Sequence, residues 1–212
     1  LSGCGGSKSA SKNGKILTIE EGPDVETIDP ALNQSADGAN YITMLSDNLL
    51  RLDKDGKIAP SLAEKYEVSD DGLTWTFHLR DGLKWSDGSP LTANDFVYSW
   101  QRMVDPEVAA PYAETMLGMV EGYKDAIGNP DANGNTTTTP DVTKLKVEAP
   151  DDKTLVVHMS HPTPYFERLA SFAALSPVKK EVVEANPDGW SLDPKTYVSS
   201  GPFKLTEWKQ GS

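Results

Sequence analysis

The fold of this chain is decided by residues 84–102, which read KWSDGSPLTANDFVYSWQR. The Ser-Asp-Gly triplet at 86–88 predicts a turn, because an Asp side chain bonds the backbone two residues on and Gly accepts positive φ. Trp85 before the turn and Phe96 after it are large apolar residues that are expected to be buried in the core. We therefore interpret the stretch as a determinant of the fold rather than as a binding site.

A helix is predicted in the second half of this stretch. Thr92 with Asp95 three residues later is a pairing that satisfies backbone N–H groups at a helix start. The helix is expected to run to about Val104 and to stop at Pro106. Its predicted inward face consists of Phe96, Val97, Trp100 and Val104.

Upstream, residues 74–79 read TWTFHL and alternate apolar with polar side chains, which predicts a strand. Leu83 and Trp85 follow the turn at 80–82, so we expect a hairpin with one buried face. Ser61 and Glu64 have the spacing of a capping box and predict a short helix there.

The remaining patterns predict several further elements on both sides of this region. Strands are expected at residues 15–20, 145–148, 155–159 and 203–208. Helices are expected at residues 39–50, 112–127, 163–170 and 179–185. The polar stretch 128–141 is expected to be a solvated loop, and the turn signal at 53–56 predicts a hairpin. The mixture of hairpins and helices indicates an α/β or α+β architecture.

Composition excludes several classes of protein. The chain has 212 residues, a formal net charge of −12 and 37% hydrophobic residues, which is enough apolar material for a packed core. The acidic balance argues against nucleic acid as a partner and against a polybasic grip on anionic lipid. No apolar run reaches the roughly 18 residues that a membrane-spanning helix needs.

The single cysteine, Cys4, follows Leu1, Ser2 and Gly3, a pattern typical of a bacterial lipobox. Its thiol would then carry a lipid that anchors the protein to a membrane. Residues 5–14 are rich in Gly, Ser and Lys and fit a flexible tether. We expect the chain to begin just before the cleavage point of a signal peptide. The alternative is an ordinary surface thiol in a frayed terminus.

No catalytic or metal-binding constellation is evident. His78 and His158 fall within predicted strands, where a sheet-face role is expected, and Pro162 prevents His158 and His161 from sharing a helix face. The residues 131–135 resemble the start of a calcium loop but lack the Gly and Glu required further on. We therefore expect no enzyme activity, no cofactor and no metal.

Several segments together resemble the family-5 extracellular solute-binding proteins, which include oligopeptide-binding lipoproteins of ABC importers. Besides residues 84–102, the resemblance rests on TIDP (27–30), DNLL (47–50), APSLAE (59–64), TWTFHLR (74–80), PYF (164–166) and GPFKL (201–205). It spans roughly residues 15–208. It implies an α/β fold of the periplasmic-binding-protein type II kind and a receptor that binds its cargo without bond chemistry.

The resemblance also implies where a ligand would bind. In this family a peptide lies between two lobes as an added β-strand, so backbone groups supply much of the affinity. By resemblance, one contact strip falls at Gln34, Ser35 and Ala36, and an aromatic residue lining the cleft falls at Tyr112. The alternatives are an ordinary surface loop and a packed surface aromatic.

Family members are much longer than this chain, so the resemblance implies an incomplete first lobe with an inserted small α+β domain. The expected division is a lipobox remnant and tether at 1–14, the first segment of the lobe at 15–46, the inserted domain at 47–179, and the truncated second segment at 180–212. Since closure of two lobes buries the ligand, we expect this chain alone to bind peptide weakly.

The expected function is therefore that of an extracytoplasmic, lipid-anchored receptor that captures oligopeptides and delivers them to the permease of an ABC transporter. Its expected partners are oligopeptides, the permease subunits and the membrane through Cys4, with no nucleic acid. The alternative is a surface interaction, adhesion or pheromone-sensing lipoprotein on the same scaffold.

Overall fold

The computed structural model describes residues 16–19 and 22–209. Within that part the helices are α1 (Ala36–Leu45), α2 (Ala93–Val104), α3 (Ala113–Leu117), α4 (Tyr123–Ala126), α5 (Phe166–Leu169) and α6 (Lys180–Ala185). The strands are β1 (Leu50–Leu52), β2 (Ile58–Pro60), β3 (Ala63–Val68), β4 (Thr74–Leu79), β5 (Val147–Asp151) and β6 (Thr154–His158). None of the helices in these ranges is long and apolar enough to cross a membrane.

Four strands form an antiparallel sheet in the order β3–β4–β6–β5. The central strand β4 places Phe77 opposite Tyr66 on one side and opposite Leu155 on the other. Because side chains alternate between the faces of a strand, Trp75, Phe77 and Leu79 all enter the core. The predicted strand at 74–79 is confirmed, as is the β1–β2 hairpin around residues 53–56. The strands predicted at 145–148 and 155–159 appear as β5 and β6, which pair with each other as a hairpin.

Helix α2 packs against β5 and β6 and completes the larger of two buried clusters. The predicted helix at 92–104 is confirmed, and the Asp95 carboxylate accepts the N–H of Thr92 at 2.8 Å. Trp100 meets the rings of Phe96 and Phe166 edge-on, with centroid separations of 6.2 and 6.1 Å. Its indole N–H donates to the carbonyl of Leu175 at 3.1 Å, so this large side chain is buried without losing its hydrogen bond.

A second buried cluster joins segments that are far apart in sequence. Its members are Val25, Ile28, Ile42, Leu45, Val178, Val183, Trp190 and Tyr197. Within it the rings of Trp190 and Tyr197 stack at 5.4 Å. Helix α1 contributes its apolar face to this cluster, whereas the sheet and α2 lie in the larger cluster.

Two predictions in the region of the sheet are wrong. Residues 63–68 form the strand β3 rather than a helix opened by Ser61 and Glu64. The N–H groups of Ser61 and Ala63 both donate to the carbonyl of Leu49, which draws the chain into an extended path that continues beside β4. The expected hairpin between residues 74–79 and Trp85 does not form either, because β3 and β6 already occupy both edges of β4.

Other predicted elements are present but shortened or broken. The helix predicted at 39–50 begins at Ala36 and ends at Leu45, and those predicted at 163–170 and 179–185 are reduced to α5 and α6. The helix predicted at 112–127 is split into α3 and α4 at Gly122, which has a φ of 78°. A Cβ there would lie 1.9 Å from the carbonyl oxygen of Lys144, so only glycine allows this close approach.

The two terminal strands that were predicted do not appear in the described residues. Residues 16–19 have no regular structure and are exposed, and residues 15 and 20 lie outside the described ranges. Residues 203–208 are likewise irregular, with Phe203 62% exposed. A strand needs a neighbour to pair its backbone groups, and within the described chain neither segment has one.

Candidate functional site

The candidate site is built on the loop that leads into α1, and a buried ion pair organises the start of that loop. Asp29 is 1% exposed and Arg102, in the last turn of α2, is 9% exposed. The guanidinium donates to both carboxylate oxygens, with Nη1–Oδ1 at 3.0 Å and Nη2–Oδ2 at 2.6 Å. Such a two-point contact fixes orientation as well as distance, because the planar fork matches the carboxylate.

Asp29 also bonds the loop that follows it. Its Oδ1 accepts the N–H of Ala31 at 3.0 Å, and its backbone carbonyl accepts the N–H groups of Leu32 and Asn33. On the preceding side, Thr27 Oγ1 accepts the N–H of Asp29 at 3.0 Å. One residue therefore determines the path of the backbone up to Asn33.

Asn33 and Ser35 then form the start of α1. Ser35 is the N-cap, and its Oγ accepts the N–H of Gly38 at 2.9 Å. The Asn33 amide donates to the Ser35 carbonyl at 2.9 Å and accepts the Ser35 N–H at 3.3 Å and its hydroxyl at 3.2 Å. These contacts hold the turn before the helix in one conformation.

The three predicted strip residues are all exposed, but they differ in what their backbones offer. The backbone of Ser35 is engaged by Asn33 and by the N–H of Ala39. Within the described part of the chain, no hydrogen bond uses the backbone groups of Gln34 or the N–H of Ala36. The donor and acceptor of Gln34 and the donor of Ala36 are thus unpaired on an exposed part of the loop, as groups that bind an extended ligand must be.

A cleft of about 310 Å³ lies beside this strip, between residues 24–27 and residues 32–35. Its walls include Gln34 and Ser35 and the acidic side chains of Asp24 and Glu26. Behind the loop, the hydroxyl of Tyr197 donates to the carbonyl of Ile28 at 3.4 Å. Burial raises the pKa of Tyr197 to about 12, so this phenol stays neutral and holds the loop from the core side.

Tyr112 is placed elsewhere on the surface. It is the N-cap of α3, is partly exposed, and its carbonyl accepts the N–H of Met116 at 2.9 Å. It is not among the residues that line the cleft beside Gln34. Because α3 packs against α2, Tyr112 is held relative to the same helix that carries Arg102.

Sequence reasoning missed a larger, apolar groove of about 540 Å³. It lies between α1, β1, the segment 171–176 and Phe203. Phe172 and Phe203 line it and are 51% and 62% exposed, which is unusual for phenylalanine. The sequence carried a weak signal here, because Phe172 lies beyond the helix predicted at 163–170 and belongs to no predicted element that would bury its ring.

The histidines do not cluster. The side chains of His78 and His158 lie on neighbouring strands, and His158 contacts Thr74 at 3.5 Å through Nδ1. His161 contacts the hydroxyl of Ser160 at 3.0 Å. Among the described residues no group of three or more His, Cys, Asp or Glu could hold a metal ion. Cys4, the predicted lipidation site, lies outside the described residues.

Comparisons with known proteins agree on one family. The model of the bacterial extracellular solute-binding proteins, family 5 (middle region), matches residues 57–212. The periplasmic oligopeptide-binding protein OppA of Salmonella typhimurium is 39% identical over 195 residues, which cover 92% of this chain and 34% of that protein. The probable deoxycholate-binding periplasmic protein YgiS of Escherichia coli is 38% identical, covering 92% of this chain and 35% of its own length.

A solved structure shows the same similarity. OppA of Haemophilus influenzae, in complex with the peptide RPPGFSPFR, superposes with a TM-score of 0.80 at 38% identity. The match covers 89% of this chain and 35% of the OppA chain. The chain therefore spans about a third of the length of the curated relatives it matches.

Proposed function

Because the chain belongs to the bacterial extracellular solute-binding proteins of family 5, we propose that it is part of an extracytoplasmic receptor that captures oligopeptides for an ABC transporter permease. Membership in a family of solute-binding proteins agrees with the expectation of a binder rather than an enzyme. The observation that carries the peptide proposal is the set of three unpaired backbone groups at Gln34 and Ala36, on an exposed loop that the Asn33 and Ser35 side chains hold in place. Backbone groups recognise any peptide, whatever its side chains.

The division into lobes is also proposed. We assign residues 22–46 and 180–209 of the described chain to one lobe and residues 47–179 to an inserted domain. The two buried clusters support this assignment, since one is formed almost wholly between Leu49 and Leu175 and the other by segments on both sides of it. The candidate strip then lies on the first lobe and Tyr112 on the inserted domain.

Membrane attachment through Cys4 is a further part of the proposal. It rests on the Leu-Ser-Gly-Cys pattern and on the tether-like composition of residues 5–14. Mass spectrometry of the protein expressed with its signal peptide in a bacterium tests it. A diacylglyceryl mass on wild type and none on Cys4→Ser would support the anchor, and an unmodified Cys4 would exclude it.

One substitution tests the backbone strip directly. Ala36 is the first residue of α1, where proline is well tolerated, and Ser35 before it has an extended ψ of 148°, as a residue preceding proline requires. Ala36→Pro therefore removes one N–H donor while leaving the helix intact. Ala36→Ser, which retains that N–H, is the matched control.

Binding is measured by calorimetry with a mixed oligopeptide library and with RPPGFSPFR as a single probe. The proteins are this chain and a version extended through the region that its relatives possess. We expect the extended protein to bind peptide, and we expect this chain alone to bind it with an affinity weaker than micromolar. In the extended protein, Ala36→Pro should lower the affinity about ten-fold, whereas Ala36→Ser should leave it unchanged. Wild-type affinity in Ala36→Pro would contradict the strip, and no peptide binding by the extended protein would contradict the function.

A second candidate cargo is a hydrophobic small molecule. The apolar groove containing Phe172 and Phe203 favours it, and a relative described as probably deoxycholate-binding is as similar as the peptide-binding ones. The same calorimetry with deoxycholate separates the two. If the extended protein binds deoxycholate, loses that binding in Phe172→Ser and binds no peptide, then its cargo is a hydrophobic small molecule and not an oligopeptide.

A further inference from the structure

The Asp29–Arg102 ion pair connects the two parts of the chain that carry the candidate ligand contacts. The carboxylate belongs to the loop before α1, and the guanidinium to the end of α2. The pair is nearly completely buried and 73 residues separate its members in sequence. A bidentate contact in such a setting transmits position, because neither side chain can rotate without breaking a hydrogen bond.

On the loop side, the effect of the pair extends to the strip. The Asp29 carbonyl holds the N–H of Asn33, and the Asn33 side chain holds Ser35 at both its N–H and its carbonyl. The unpaired donor and acceptor of Gln34 and the unpaired donor of Ala36 flank Ser35. A shift of Asp29 would therefore move the strip through continuous hydrogen bonds.

On the helix side, the effect extends towards Tyr112. The carbonyl of Arg102 accepts the N–H of Asp105, whose own carbonyl and side chain form the turn after α2. The chain then reaches Tyr112 at the start of α3, which packs back on α2. Arg102 is thus fixed to the element that supports Tyr112.

We propose that Arg102 is a positioning residue for ligand binding, which sets the strip at Gln34 and Ala36 relative to Tyr112 through its buried contact with Asp29. Arg102 itself does not touch the ligand. The proposal rests on the proposed function, since it concerns the same site. It adds that affinity depends on a side chain outside the contact surface and on the fork geometry of arginine, not on its charge alone.

The test uses three variants, and its first readout needs no ligand. Arg102→Met removes the charge and the fork, Arg102→Lys retains only the charge, and Arg168→Met removes an exposed arginine as the control. Backbone amide resonances of residues 31–36 and the ring resonances of Tyr112 are recorded by NMR on this chain. We expect both sets to move in Arg102→Met and Arg102→Lys, and neither in Arg168→Met.

The second readout is the affinity of the extended protein for RPPGFSPFR. We expect a loss of at least ten-fold in Arg102→Met, about three-fold in Arg102→Lys and none in Arg168→Met. A folded Arg102→Met with wild-type affinity and unmoved resonances at residues 31–36 overturns the proposal. If Arg102→Met does not fold, Arg102→Lys decides, and unmoved resonances there overturn it equally. If the wild type binds no peptide, the proposed function fails, while the resonances still decide whether Arg102 positions the loop.

Discussion

Gly38→Ala is expected to destabilise the protein although alanine is the better helix former. Gly38 is the third residue of α1 and is buried. In an open helix, replacing glycine by alanine stabilises by about 0.5–1 kcal/mol. Here the added Cβ would lie 1.9 Å from Asn33 Oδ1 and 2.8 Å from Ser35 Oγ, so the Asn33 side chain must leave its place.

The cost of that displacement follows from the contacts of Asn33. Asn33 is 8% exposed, and its side-chain amide makes three hydrogen bonds, all to Ser35. Losing these three bonds costs about 1.5–4.5 kcal/mol, at about 0.5–1.5 kcal/mol per bond. Since the propensity gain recovers at most about 1 kcal/mol, the net destabilisation is expected to be about 0.5–4 kcal/mol.

The interaction between Gly38 and Asn33 is measured by a double-mutant cycle, in which urea unfolding gives the stability of wild type, Gly38→Ala, Asn33→Ala and the double variant. With the asparagine side chain gone, Gly38→Ala should be within about 1 kcal/mol of neutral, which gives a coupling of roughly 1.5–4.5 kcal/mol. Ala39→Gly, at the next position in α1, reports the local propensity and should cost up to about 1 kcal/mol. If Gly38→Ala instead stabilises the chain in the wild-type background, the interpretation of the loop as a rigid support for the strip is refuted.

Two further predictions concern the cores. Trp100→Phe leaves the Leu175 carbonyl without its donor and a void beside it, so we expect a loss of about 2–4 kcal/mol in urea unfolding. A near-neutral result would contradict both the bond and the tight packing of the indole. Burial raises the pKa of Tyr197 to about 12 from an ordinary value near 10, so the neutral phenol is favoured in the folded protein. Stability from this group is complete below pH 10 and falls by about 2–3 kcal/mol as the pH rises to about 12. Tyr197→Phe should therefore lose less stability than wild type between pH 10 and 12. The loss that remains includes the part due to Tyr66, because burial also raises the pKa of Tyr66 to about 12. If wild type and Tyr197→Phe lose stability equally over this range, Tyr197 is not the group responsible.

Much of the fold could be predicted from local patterns. The alternation in residues 74–79 and the helical spacing at 92–104 each describe one element with one buried face, and both elements form as expected. Local pattern failed where pairing with a distant segment prevailed. Residues 61–64 have a capping-box spacing, but the backbone bonds of Ser61 and Ala63 to Leu49 make the segment extended.

The candidate site was predicted less fully. Resemblance placed ligand contacts at Gln34, Ser35, Ala36 and Tyr112, and these remain predictions. No sequence pattern showed that the Ser35 backbone is already engaged while those of its neighbours are not. The apolar groove at Phe172 and Phe203 was also invisible, since it is assembled from four separate segments.

The sequence by itself determined the family, the aromatic strand at 74–79 and the helix at 92–104. Those features depend on side chains within a single element, and their spacing is written along the chain. Only the tertiary structure decided that Asp29 meets Arg102, that Asn33 fills the space that Gly38 leaves open, and that β3 is a strand. The physical reason is that each of these depends on backbone or side-chain groups brought together from distant positions, whose hydrogen bonds outweigh the weaker local preferences.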